Sequence, residues 1–205
     1  MSARAESVQR GLNLEYVTVA WNVLEAAVAL TAGAVAGSIA LIGFGLDSVI
    51  EVSSGAILLW RLSCDRDLER RELMERRARR LVGVTLLALA AYVAADSLFS
   101  LTRREAPERS VPGIVLAALS LIVMPLLARS KRKVAAAINS SALEADSRQT
   151  DICAYLSAIV LAGLLLNAAA GWWWADPVAG VAMSPLIAYE GVQAIRGKTC
   201  GDTCG

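Results

Sequence analysis

The chain contains no histidine. That removes the commonest transition-metal ligand and the usual proton carrier near neutral pH. Aromatic residues are scarce, at 5%, and only two are phenylalanine. Net charge is scarce as well: the formal value is +1, so overall charge points to no nucleic acid partner. The four cysteines, Cys64, Cys153, Cys200 and Cys204, are not spaced as a small disulfide framework. The stretch Met1 to Leu14 has no apolar core after its basic residues and does not read as a cleaved signal peptide. There is no phosphate-binding glycine loop and no setting for a nucleophilic serine, so no enzymatic activity is expected. What remains is apolar. Hydrophobic residues make up 56% of the 205, mostly Ala, Leu, Val and Ile. The mean hydropathy is +0.53. A soluble domain of this length rarely has that composition, whereas packed membrane helices do.

Crossing roughly 30 Å of hydrocarbon takes about 20 mostly apolar residues. Six stretches qualify: about Leu14 to Val35, Ile39 to Leu62, Leu81 to Leu101, Val111 to Ala128, Ile138 to Ala169, and Pro177 to Ile195. The fold class is therefore an all-α membrane protein with six transmembrane helices. The fourth stretch is short and contains Pro112 and Pro125, and the fifth is long enough to project beyond the bilayer. Residues 1–198 form the six-helix unit, and 199–205 a short tail with Cys200 and Cys204. That tail reads either as disordered or as a transient soft-metal contact, since two thiols and Asp202 are too few for a closed site.

The basic residues sort by side. Arg4 and Arg10 precede the first span, and eight arginines lie from Arg61 to Arg80. Arg129, Lys131, Arg132 and Lys133 connect spans four and five, and Arg196 and Lys198 follow span six. The opposite side has only Arg103, Arg104 and Arg109. The positive-inside rule places both termini in the cytoplasm, as in a multi-pass protein of the cell (inner) membrane. Between Cys64 and Arg80, Glu72 with Arg76 and Glu75 with Arg79 are spaced as helical ion pairs. This reads first as a solvated helical extension, and second as a contact to anionic lipid heads.

Acids inside spans are costly, which makes them functional candidates. In span two, Asp47 and Glu51 project from one helix face, one turn apart. They lie roughly 14 and 20 Å below Ser38 at 1.5 Å per residue, near the midplane. Two anions so close need a cation, a shared proton or a water-filled cavity. In span five, Asp146, Gln149 and Cys153 share a stripe, with Glu144 and Asp151 on roughly the opposite side. If the stripe meets Asp47 and Glu51, the donors are two carboxylates, an amide oxygen and a thiolate, with Asp146 as a third carboxylate. That set suits a divalent metal of borderline softness such as zinc. Cys153 alone reads first as a small apolar packer, and its register with Asp146 and Gln149 brings the ligand reading level with that one. Glu25 and Asp96 stand singly, as secondary ion or proton sites or as contacts between helices. Asp176, before Pro177, reads as a helix-start acid, and Trp172, Trp173 and Trp174 as an interfacial anchor.

Taken together, these residues resemble the cation diffusion facilitator family of divalent-metal/proton antiporters. Its second span carries Asp or His and, four residues later, Asp. The counterpart here is Leu46-Asp47-Ser48-Val49-Ile50-Glu51. Its fifth span reads Ala-Asp, two residues, His, three residues, Asp. The counterpart is Ala145 to Cys153, with Gln149 in the place of His and Cys153 in the place of Asp. Ala175-Asp176-Pro177 is similar to the start of the family's sixth span. The likeness extends over about Asn13 to Gly197 and implies a short variant, without the family's cytoplasmic metal-binding domain. It implies export of a divalent cation from the cytoplasm in exchange for protons, by a homodimer without a prosthetic group. Zinc comes first as the transported substrate, with cadmium favoured by Cys153 and cobalt, iron or manganese open. Its implied site is Asp47, Glu51, Gln149 and either Cys153 or Asp146. Two other readings stand beside it. One is a membrane metal-binding or scaffold protein that does not transport. The other is an exporter of organic cations, for which the site has a single nearby aromatic, Phe44.

Overall fold

The structure is a computed structural model that describes residues 3–63, 68–104, 107–138 and 140–196. Cys64, Cys200 and Cys204 lie outside these residues, and so do the side chains of the Glu72–Arg76 and Glu75–Arg79 pairs. Six helices follow one another: α1 (Ala3–Ala36), α2 (Ile39–Ser63), α3 (Leu68–Arg103), α4 (Val111–Ile138), α5 (Ser141–Ala170) and α6 (Ala175–Arg196). There is no strand among the described residues. Each helix contains a stretch long and apolar enough to cross a membrane.

The breaks between helices have local causes. Gly37 takes a left-handed backbone at φ 66°, which ends α1 without a Cβ penalty. Ser38 then caps α2, its Oγ accepting from the Leu41 amide at 3.1 Å. Ser110 caps α4 in the same way, accepting from the Gly113 amide at 3.2 Å. Pro112 falls in the first turn of α4, where a missing N–H costs nothing. Ser140 caps α5, and Gly171, again left-handed, closes it through a bond from its amide to the Asn167 carbonyl.

Two boundaries differ from the sequence reading. Helix α4 does not stop near Ala128 but runs through Pro125 and on to Ile138. The basic run Arg129 to Lys133 is therefore helical rather than a connection. Lys, Arg and Ala are good helix formers, and an apolar-run criterion cannot see a helix that continues past its charges. Helix α5 accordingly begins at Ser141, not at Ile138.

The helices assemble mainly as α1 on α2, α4 on α5 and α3 on α6, with α1 also against α4 and α5 against α6. Helices α3 and α6 come close together at Gly83 and Gly191. A Cβ built on Gly83 would sit 2.6 Å from the Gly191 carbonyl oxygen. Small residues let membrane helices pack backbone to backbone. Phe44, Leu41, Leu86, Met124, Leu156 and Met183 fill the interior. On α4, Val115, Leu119, Ile122 and Leu126 form an exposed stripe at helical spacing, the pattern of a lipid-facing surface. Trp172 and Trp174 stack at 5.0 Å at the end of the bundle where α5 turns into α6.

Candidate cation site

Helix α2 carries Asp47 and Glu51 into the interior, where they are 1% and 7% exposed. Neither oxygen of Asp47 finds a hydrogen-bond partner among the described residues, nor does Oε2 of Glu51. Buried polar atoms are nearly always satisfied, so orphaned carboxylate oxygens call for an explanation. Next to them on α5 is Cys153, fully buried with a free thiol. The charges of Glu51, Glu25, Asp47 and Glu190 all act on that thiol.

Glu25 of α1 is completely buried. Its Oε2 accepts from Ser120 of α4 at 3.0 Å, and its Oε1 accepts from the Cys153 thiol at 3.7 Å. It is thus both a contact between helices and a member of the site. Glu190 of α6 is 7% exposed and acts electrostatically on Asp47 and Glu51. Glu190 is inconspicuous in the sequence because it lies near the end of span six. The signal was present nonetheless: an acid among Ile187, Tyr189 and Gly191, within an apolar helix. Asp96 is only half-buried on α3.

The stripe on α5 divides. Cys153 joins the acids. Gln149, one turn away, accepts from Ser54 of α2 through its Oε1 at 3.4 Å. Asp146 pairs with Lys131 of α4, which also lies 3.0 Å from Glu15 Oε2 as an ion pair. Glu144 pairs with Arg148 at 2.9 Å, and Asp151 takes Arg132 in a two-pronged contact at 2.6 and 3.3 Å. Asp176 serves a helix other than its own. Ser38 Oγ donates to its Oδ1 at 2.5 Å and the Ala40 amide to its Oδ2 at 3.5 Å, so it supports the start of α2.

In this conformation no three Cys, Asp or Glu side chains among the described residues stand close enough together to hold a metal ion. The α2 and α5 donors line one interior region, but they have not converged.

Acids without a hydrogen-bond partner among the described residues, and a thiol beside them inside a membrane helix bundle, are the kind of groups that mark ion and proton pathways. The particular family follows from sequence comparison. The chain belongs to the cation efflux transmembrane domain family, which matches residues 71–198, more than half of its length. This bears out the resemblance to the cation diffusion facilitators. The match takes in the α5 donors and begins after the α2 acids. The chain is 33% identical over 95 residues to the cation-efflux pump FieF of Shewanella oneidensis, covering 43% of this chain and 32% of the pump. It is 26% identical over 192 residues to transmembrane protein 163 of Xenopus laevis, covering 91% of this chain and 66% of that protein. The chain thus spans less than two thirds of the length of either relative.

Proposed function

We propose that the protein exports a divalent metal cation from the cytoplasm, zinc first, in exchange for protons. The observation that carries this reading is Asp47, buried beside Glu51 with neither oxygen partnered among the described residues. A divalent cation satisfies those oxygens and neutralises the pair at once. Cys153 supplies a thiolate and Gln149 an amide oxygen, and a small shift of α5 against α2 closes the set around the ion. Metal requires the deprotonated forms of the acids and the thiol, so protons arriving from the far side compete for the same atoms and release it. With no histidine in the chain, the carboxylates and the thiol are the groups left to carry those protons. By the positive-inside rule both termini lie in the cytoplasm, and the working unit is a homodimer joined through membrane helices.

Purified protein in liposomes tests this. Zinc uptake should be accompanied by counterflow of protons, and Asp47→Ala should abolish both. Normal transport by that variant sinks the site assignment. Stoichiometric metal binding without any transport would make the chain a membrane metal-binding protein instead.

A further inference from the structure

Lys131 is the most unusual charged residue in the bundle. It sits on α4 with its side chain completely buried, held between Glu15 of α1, 1% exposed, and Asp146 of α5. Glu15 in turn lies over Gly55 of α2, where an added Cβ would stand 2.7 Å from Glu15 Oε1. Gln149 and Ser54 bridge α5 and α2 beside this cluster. One polar cross-link thus gathers α1, α2, α4 and α5. It lies toward the bundle end where α4 finishes and α5 begins, the end that also carries both termini. Along α5, Asp146 precedes Cys153 by seven residues, about 10 Å of helix at 1.5 Å per residue. Glu51 feels the charges of both Lys131 and Asp146.

A buried ion pair rarely increases stability over a well-packed apolar contact, because taking charges from water offsets their attraction. Packing alone is therefore a poor reason for burying a lysine here. Its position offers another. A cation approaching Asp47 and Glu51 from this end meets an ammonium group, and the two carboxylates that would draw it inward are already occupied.

We infer that the Glu15–Lys131–Asp146 cluster is a gate that shuts the interior acids off from the terminus-bearing end. Opening the site to that side requires Lys131 to leave at least one of its two partners. This rests on the reading that cations reach Asp47 and Glu51 through the bundle. Separation of α4 from α1 and α5 is the motion the gate controls, and Cys153, the one cysteine among the described residues, lies behind it.

The test uses Cys153 as reporter in the full chain with Cys64, Cys200 and Cys204 changed to Ser. A membrane-impermeant cationic methanethiosulfonate is applied to vesicles of each orientation. With Lys131 intact, modification of Cys153 from the terminus-bearing side should be slow. Lys131→Gln leaves two like charges facing each other and should speed it about tenfold or more from that side only. Asp146→Asn keeps the Glu15 pair and should give a smaller increase, which guards against a Lys131→Gln protein that fails to fold. Unchanged rates in both variants, or equal acceleration from both sides, would overturn the gate. Labelling needs no metal and no transport. If wild-type protein moves no cation, the proposed function fails while the labelling result stands or falls separately.

Discussion

Cys153 and Asp47 show how much chemistry a single side chain settles here. As a ligand, Cys153 would be a soft donor among hard carboxylates, and softness discriminates among metals of equal charge. Cys153→Ser should therefore weaken cadmium binding by at least about tenfold and zinc binding by less. Competition titrations on purified protein measure both. Equal affinities before and after the change would remove the thiol from the ligand set. The acids of α2 were readable from their spacing alone, because i and i+4 share a helix face in any α-helix. Glu25 was readable as an ion site or a contact between helices, and Glu190 carried the signal of an acid in an apolar helix, whereas Lys131 was not readable, because it owes its role to the helices packed opposite it. In the sequence Lys131 is one of four basic residues in a short run, and nothing in that run marks it as the one that turns inward.

The helices are held at their ends by pairings that reach across the chain. Asp176, in the first turn of α6, accepts from the side chain and backbone at the start of α2. Asp176→Ala removes that acceptor, leaves the Ser38 hydroxyl and the Ala40 amide buried without it, and should cost about 1–3 kcal/mol. Thermal unfolding in detergent should show the loss, with Asp176→Asn recovering part of it. A variant as stable as wild type would mean that α2 is fixed by packing alone. The α3–α6 contact makes a second case. Gly83→Val has no room against the Gly191 carbonyl, so it should separate those helices and lower the unfolding temperature. Gly37, whose φ of 66° suits glycine and whose missing side chain has open space, tests conformation instead of packing.

For the assembled bundle, six crossings return the chain to the side from which it began. The charge bias of its connections then sets which side that is. Reporter fusions at the N-terminus and after Arg196 should both report the cytoplasm. One fusion on each side would break the six-span topology, and both outside would reverse the direction of export. The number of spans, their order and the α2 acid pair were legible in the residues themselves. An apolar stretch that must satisfy its own backbone in lipid has little choice but to be a helix, and helical spacing then assigns faces. Which acids meet Cys153, where α4 ends, and why Asp146 turns to Lys131 while Gln149 turns to Ser54 depend on how the helices pack around one another. Hydropathy and spacing describe one helix at a time, whereas a buried charge is placed by whichever neighbour can answer it.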